Sequence, residues 1–593
     1  LSKPAVRYSI RPLNPEAHLF EVELSVAVPT KDGQRLSLPA WIPGSYMIRE
    51  FARHIITLEA HSDSGPVPLT KLDKHTWQAE PAKGPLTVRY QVYAFDLSVR
   101  GAYLDSERGF FNATSMCLCA QGFEAEPCEL EILPPPGKAY QDWKVATSLS
   151  ALDTKKKTGF GHYKAADYDE LIDHPVELGD FKRVSFKACG VSHQIVVSGR
   201  HRGDLKRLAR DVKKICEYQI RLFGEPAPFQ NYLFLLYVAG DIYGGLEHRA
   251  STALVANRDD LPAAGVKEIS DGYLQLLGLF SHEYFHSWNV KRIKPAAFAP
   301  YDLTQENHTR LLWAFEGITS YYDDLTLVRC GLIEHKRYLE LLARNLTAVE
   351  RGAGRKKQTL EESSFDAWTK YYRQDENSPN AIVSYYTKGA LAALALDLYI
   401  RQQTGSAKSL DHVMRALWQK WLSDGQGVGE AEWEAIASQE TGLDLQVFFD
   451  SALRSTADLP LQELLAGQGV TLEWNPATGS SDRGGLANGA KGNERAVLGA
   501  KTSADPLGVK LASVFDGGAA QAAGLSGGDV IIALDGLKLK EVDSALARYR
   551  PDDEVTVHAF RRDELLTKTL KLGKAANDTA RLALNGDAAW LTA

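Results

Sequence analysis

Cysteine is scarce in this chain, with six among 593 residues: Cys117, Cys119, Cys128, Cys189, Cys216 and Cys330. So few thiols over such a length exclude a disulfide framework. Cys117-Leu118-Cys119 with Cys128 nearby resembles a set of metal ligands, but no second pair follows, and buried free thiols are the expectation. Long apolar runs are also missing. The longest, such as Tyr232–Ala239, have the length of a strand, far short of the roughly 18 residues that cross a bilayer. No membrane span is expected. Neither sign of charge is in excess: 68 Lys+Arg against 75 Asp+Glu leave a net charge of −7 and a pI near 6.2, without the basic surplus that nucleic-acid binding needs. There is no initial Met and no signal-peptide pattern. The chain is read as cytoplasmic, or as periplasmic or secreted if a signal peptide was removed before Leu1.

What is present is the composition of a folded protein, 44% hydrophobic and 24% charged, long enough for about three to five domains. The first stretch reads as β. Apolar residues alternate from Phe20 through Val22, Leu24 and Val26, and again at Leu86, Val88, Tyr90 and Val92, the period of a half-buried strand. Turn chemistry at Lys31-Asp32-Gly33 and Pro134-Pro135-Pro136-Gly137 separates such runs. A β-sandwich-like domain over 1–167 is expected. From about Tyr168 a strand-like stretch at Phe186–Val197 and the apolar strand Tyr232–Ala239 lead into helices, among them Leu274–His286, Thr309–Val328, His335–Glu350, Tyr386–Gln403 and Glu430–Thr441. Residues 168–465 are read as an α+β domain. Beyond it, Asn475–Ala504 has the Gly, Ala, Ser and Asn content of a linker, followed by strands and a short helix within 466–593. The chain as a whole is a multidomain α+β protein.

One segment carries chemistry. His282-Glu283-Tyr284-Phe285-His286 is H-E-x-x-H in pattern, expected by accident roughly 0.02 times in such a chain. On a helix the two imidazoles lie one turn apart and point the same way, so both can bind one Zn²⁺. Glu283, offset by one residue, falls beside a water acidified by that metal and can take its proton. Thirty residues after His286, Glu316 stands in the apolar stretch of a helix, where an unpaired carboxylate is expensive and a cation is wanted. Two His and one Glu, with a position left for water, form a catalytic zinc set rather than a structural one. One zinc per chain is expected. Asp323, two turns on, is either an orienting partner for a ligating imidazole or a surface helix acid.

The strings Ser281-His282-Glu283-Tyr284-Phe285-His286-Ser287-Trp288-Asn289-Val290-Lys291-Arg292, Glu316-Gly317-Ile318-Thr319-Ser320-Tyr321-Tyr322-Asp323 and Trp41-Ile42-Pro43-Gly44-Ser45-Tyr46 resemble the bacterial glycyl aminopeptidase family of gluzincin metallopeptidases. The resemblance runs the length of the chain. It implies an N-terminal β domain, a thermolysin-like catalytic domain and a C-terminal PDZ-like domain, with removal of N-terminal Gly or Ala from peptide substrates. Compared with the related aminopeptidase N branch, Gly244-Gly245-Leu246-Glu247-His248 matches the segment whose Glu captures the substrate amine, with Gly244 and Gly245 at the substrate and His248 replacing an Asn. Tyr385-Tyr386-Thr387-Lys388-Gly389 matches the segment whose Tyr stabilises the oxyanion. Tyr386 holds the matching position, and Tyr385 is the alternative.

Three other signals are weighed. Gly524-Leu525-Ser526-Gly527-Gly528 has the pattern of a serine-hydrolase elbow but resembles a PDZ turn, with Leu507-Gly508-Val509-Lys510 as the loop that would receive a peptide C-terminus. Lys291, Arg292 and Lys294 are read as serving the helix dipole and solvent. Two rival functions stand beside the aminopeptidase: a zinc endopeptidase, and a non-catalytic scaffold binding peptide ends through the PDZ-like part.

Overall fold

Alternating burial builds the N-terminal β domain. In the computed structural model, whose described residues are 4–487, 489 and 494–592, every second residue of Leu19–Val26 and of Leu86–Tyr93 is buried. These strands pair antiparallel within an eight-stranded sheet that also holds Val6–Asn14, Cys128–Ile132 and Gly161–Ala165. Two four-stranded sheets accompany it. Phe20, Val22, Leu24 and Tyr90 share one core with Leu36, Trp77, Phe111 and Leu178 from the smaller sheets. That core continues through Val196, Leu233, Leu246 and Val255, which belong to the next layer.

This layer is a five-stranded mixed sheet in the order Lys182–Ala188, Val191–Ser198, Asn231–Ala239, Ser251–Asn257, Gly244–Glu247. The single strand expected at Phe186–Val197 is a hairpin, turning at Cys189 (φ 44°) and Gly190 (φ 81°). A Cys in the left-handed region is an uncommon turn residue, and it concealed the break. Val191–Ser198, Asn231–Ala239 and Ser251–Asn257 run parallel, and Gly244–Glu247 closes the sheet as an antiparallel edge.

Helix Leu205–Phe223 starts at Asp204, whose side chain accepts from Arg207 N at 3.0 Å. It is bound to helix Asp271–Phe285 by Gln219 Nε2, which donates to Ser281 O at 2.9 Å. The second helix packs aromatics onto the sheet, Phe280 and Tyr284 meeting Phe234 and Tyr232 with ring centroids 4.7–5.8 Å apart.

The chain divides into two compact units: one reaches Asn307 and includes Asp424–Gly427, and the other comprises the rest from His308 onward. The boundary falls inside the segment 168–465 that the sequence treats as one domain. The second unit is helical first, through Ile318–Arg329, His335–Arg351, Thr387–Thr404 and Glu430–Thr441, and ends in a β region. Of the expected linker Asn475–Ala504, residues 488 and 490–493 lie outside the described residues. The remainder is partly structured: Gly485–Leu486 pairs with Thr579–Leu584, and Ala580 N donates to Thr347 Oγ1 at 3.0 Å in the helix His335–Arg351. Small residues here permit close packing, since a Cβ on Gly484 would stand 2.4 Å from that same hydroxyl. The last sheet runs Ala500–Ala504, Val509–Val514, Val530–Leu534, Glu554–Arg561, Glu564–Lys571 around its own core of Leu511, Ile531, Val557 and Leu570. Ser526 is a turn residue in it, its N–H donating to Asp529 Oδ2 at 2.8 Å and its hydroxyl accepting from Arg561 at 3.0 Å. The α+β architecture with β-rich ends is as the sequence indicated.

Candidate active site

In the first unit, Ser270 caps the helix Asp271–Phe285, its hydroxyl accepting from Tyr273 N at 3.2 Å. The helix ends at His286, so the two motif histidines occupy its final turn, rings 4.7 Å apart between centroids. His286 is buried, and its Nδ1 lies 2.7 Å from the carbonyl of Asn289. A carbonyl only accepts, so Nδ1 carries the proton and Nε2 is the nitrogen whose lone pair can ligate a metal. An imidazole oriented in this way is the usual support of a ligating histidine. His282 is partly exposed, and the donor chemistry of the pair fits zinc.

Glu283 and Glu247 are both buried, and with His286 they offer three ligand atoms within 4.8 Å of one another. Two glycines make this possible. A Cβ on Gly245 would stand 2.0 Å from Glu283 Oε1, and one on Gly44, whose φ is 93°, would stand 2.5 Å from Glu247 Oε2. Gly244 is different: a Cβ there would meet Val255 at an ordinary 3.6 Å. Glu247 Oε1 is buried without a hydrogen-bond partner among the described residues, an expensive state for a carboxylate.

The residue after this glutamate turns elsewhere. His248 is buried with Nδ1 3.4 Å from Asp173 Oδ1. Asp173 also receives Arg249 Nε and Lys291 Nζ, each at 2.8 Å. Burial by itself would raise the Asp173 carboxyl, but the Lys291 ammonium and Arg249 guanidinium beside it hold it well below the carboxylate range. Lys291 and Arg292 therefore do not face solvent, correcting the sequence reading, and Lys294 is half-buried. Lys291 is in an ion pair with Asp173, and Arg292 is buried, donating to the carbonyls of Ser287, Arg249 and Pro228 at 2.7–3.1 Å. Burial lowers Arg292 to about 10 and Lys294 to about 8. Nothing in the sequence marked Asp173 as their shared acid.

In the second unit, Glu316 is buried within Trp313–Gly317, a π-helical turn that runs into the helix Ile318–Arg329. Such turns are rare and occur mostly where function constrains a helix. The expected single helix Thr309–Val328 thus begins four residues late and is wound differently around its acid. Gly317 and Gly389 pack backbone to backbone, since a Cβ on Gly317 would stand 2.6 Å from Gly389 Cα and 2.7 Å from Tyr385 O. This approach brings the tyrosines to the acid. Tyr385 is fully buried, its hydroxyl without a hydrogen-bond partner among the described residues. Burial raises its pKa well above the phenol range, and the charges of Tyr372 and Glu316 raise it further. Tyr386, half-buried before the helix Thr387–Thr404, has its hydroxyl 3.3 Å from that of Tyr372. Tyr371 completes the cluster, its ring 4.8 Å from Tyr385. Burial raises it too, with Glu316 contributing. Neither Tyr371 nor Tyr372 stands in a motif, so the sequence gave no sign of them. Asp323 is half-buried in the helix after Glu316.

Comparison with known proteins agrees with this chemistry. The Peptidase M61 N-terminal domain matches residues 7–180, and the M61 glycyl aminopeptidase family matches residues 275–392. A crystal structure of an aminopeptidase N family protein from Idiomarina loihiensis is similar at 45% identity and a TM-score of 0.95, covering 99% of this chain and 100% of that one. An M1 zinc metallopeptidase from Deinococcus radiodurans, a mutant bound to a Tyr-Ser-Ala substrate, aligns at a TM-score of 0.48 and 13% identity over 77% of this chain and 95% of its own. No curated protein matches. With a full-length relative at 45% identity and matches in both its N-terminal and its peptidase segments, the chain belongs to the M61 glycyl aminopeptidase family of metallopeptidases.

Proposed function

We propose that this metallo-aminopeptidase is zinc-dependent, with one ion per chain held by His282, His286 and Glu316, and that it removes small N-terminal residues, Gly or Ala, from peptides. Zinc, when bound, supplies the Lewis acid that polarises the scissile carbonyl and lets water lose a proton near neutral pH. Glu283 takes that proton as general base and passes it to the leaving amine. Tyr386 donates a hydrogen bond to the oxyanion, for which a phenol that stays neutral at pH 7 is suited. Glu247 pairs with the substrate's α-ammonium. Gly245 is the bare backbone that leaves room for the base, and Gly244 is the neighbouring edge position along which an extended peptide can lie.

The observation that carries this reading is the Glu247 oxygen, buried, unpartnered and close to Glu283 and His286. An ammonium satisfies it and a peptide continuing past that point does not, which favours an exopeptidase over the endopeptidase reading. The test is kcat/KM on Gly-Ala peptides with free and with acetylated N-termini. Equal cleavage of both would remove Glu247 from the anchor role and establish an endopeptidase. The preference for small residues is tested by Gly-, Ala- and Leu-anilides.

Residues 466–593 include a sheet with its own core, which we read as PDZ-like, the Leu507-Gly508-Val509-Lys510 loop receiving a peptide C-terminus. No described helix is long and apolar enough to cross a membrane.

A further inference from the structure

A second cavity lies wholly within the second unit, between the helices His335–Arg351 and Thr387–Thr404 and the segment around Pro460. Its volume is about 630 Å³, within the range of small-molecule sites. Leu346, Leu391, Leu461, Leu472 and Trp474 make much of its wall apolar. Lys388 opens onto it. This residue is 3% exposed, and its Nζ has no hydrogen-bond or ion-pair partner among the described residues.

The acids around Lys388 are already engaged. Asp458 pairs with Arg355 and, at 2.6 Å, with Lys356, and Glu350 pairs with Arg355 at 2.5 Å. Glu463, also on the wall, is exposed at the rim. Lys388 is in addition the second residue of its helix, the end where the backbone dipole disfavours a cation. Burial lowers its pKa, an effect that Asp458 offsets and Arg355 and Lys356 reinforce. Asp458 acts on this ammonium only at a distance, and no described residue pairs with it directly, whereas a ligand anion would.

We propose that this cavity is a binding site for a carboxylate on an apolar body, with Lys388 pairing with the carboxylate and the leucines and Trp474 holding the rest. Of the two cations on the wall, Arg355 is held by Glu350 and Asp458 and Lys388 alone is unpaired, which suits a monoanion better than a phosphate, which takes several donors. A fatty acid and the C-terminus of an apolar peptide share this chemistry. Lys388 follows Tyr386 by two residues, but none of the residues assigned to catalysis lines the cavity, and the binding test does not depend on their roles.

The probes are decanoate, its methyl ester and N-acetyl-Leu-Leu, titrated calorimetrically into the full-length protein and into Lys388→Met. At least one acid should bind saturably, the ester at least tenfold more weakly than decanoate if decanoate is the one, and Lys388→Met should lose roughly 10- to 100-fold in affinity. Tighter binding of decanoate identifies an amphiphile as the source, and tighter binding of N-acetyl-Leu-Leu identifies a peptide end. No saturable binding of either acid, or equal binding by both proteins, overturns the proposal. If Lys388→Met does not fold, Trp474 decides: the bound acid should change the fluorescence of the unmutated protein and not that of Trp474→Phe, and equal changes in both refute the site.

Discussion

Asp173→Asn should be among the most damaging single-atom changes in the first unit. The carboxylate is buried and joins two cations, Lys291 and Arg249 at 2.8 Å each, with the His248 imidazole at 3.4 Å. Lys291 follows the helix of His282 and His286, and His248 and Arg249 follow Glu247, so one acid connects the proposed base and the proposed amine anchor. Asparagine keeps the shape and removes the charge. Arg249 retains Asp169, also at 2.8 Å, but Lys291 has no other acid within ion-pair distance among the described residues. Removing one partner of a buried pair costs about 3–5 kcal/mol, enough to lower a melting transition by several degrees. The pH dependence has a definite sign. The folded-state pKa is depressed, so the contribution is complete above the unfolded value near 3.8 and is lost as pH falls through the folded one. Calorimetry from pH 3 to pH 7 should therefore show a gap between the two proteins that is widest at neutral pH and narrows toward pH 3 and below. Asp173 is a positioning residue, and a purely structural role would leave substrate choice unchanged. The variant should retain zinc yet lose at least about tenfold of its preference for free over acetylated N-termini. Normal stability together with unchanged preference would refute the hub.

Other substitutions separate the proposed roles. Glu283→Gln should keep zinc and lose activity, because it removes only the base, whereas His286→Ala should lose both, as read by metal analysis and peptide hydrolysis. Glu247→Ala should lower kcat/KM on free peptides by about 30- to 4000-fold, the range set by losing one partner of a desolvated pair, and should affect acetylated peptides little. Gly44→Ala should destabilise by about 1–3 kcal/mol and displace Glu247, because its Cβ has no space and its φ is positive; activity on free peptides close to the unmutated level would show that the carboxylate has room to move.

Legibility in the sequence followed how local each requirement is. Strand alternation at Leu19–Val26 and the one-turn spacing of His282 and His286 are set by the period of a single element, so they can be read from a few neighbouring letters. The hairpin at Cys189 was missed because a non-glycine residue makes its left-handed turn. The basic run Lys291, Arg292, Lys294 was misread because its partner, Asp173, is far away in the chain. A charge looks solvated until its counter-ion is located, and a lone buried acid carries no local pattern. The tyrosines at 371 and 372 escaped for the same reason, since only packing against Tyr385 and Tyr386 gives them a place.

Glycine was legible as a motif letter but not as a cause. In Trp41-Ile42-Pro43-Gly44 and Gly244-Gly245-Leu246-Glu247 the glycines look like turn residues, yet Gly44 and Gly245 act through the side chains they lack. Each leaves a space of about one methyl group, and each space is filled by a carboxylate. Neighbouring letters divide here: Gly244 has ordinary room and Gly245 none, though the sequence treats them alike. The two glutamates therefore depend on missing atoms in other parts of the chain, one of them in the N-terminal β domain. That domain accordingly borders the candidate site through Gly44, and its fold cannot be separated from the placement of Glu247.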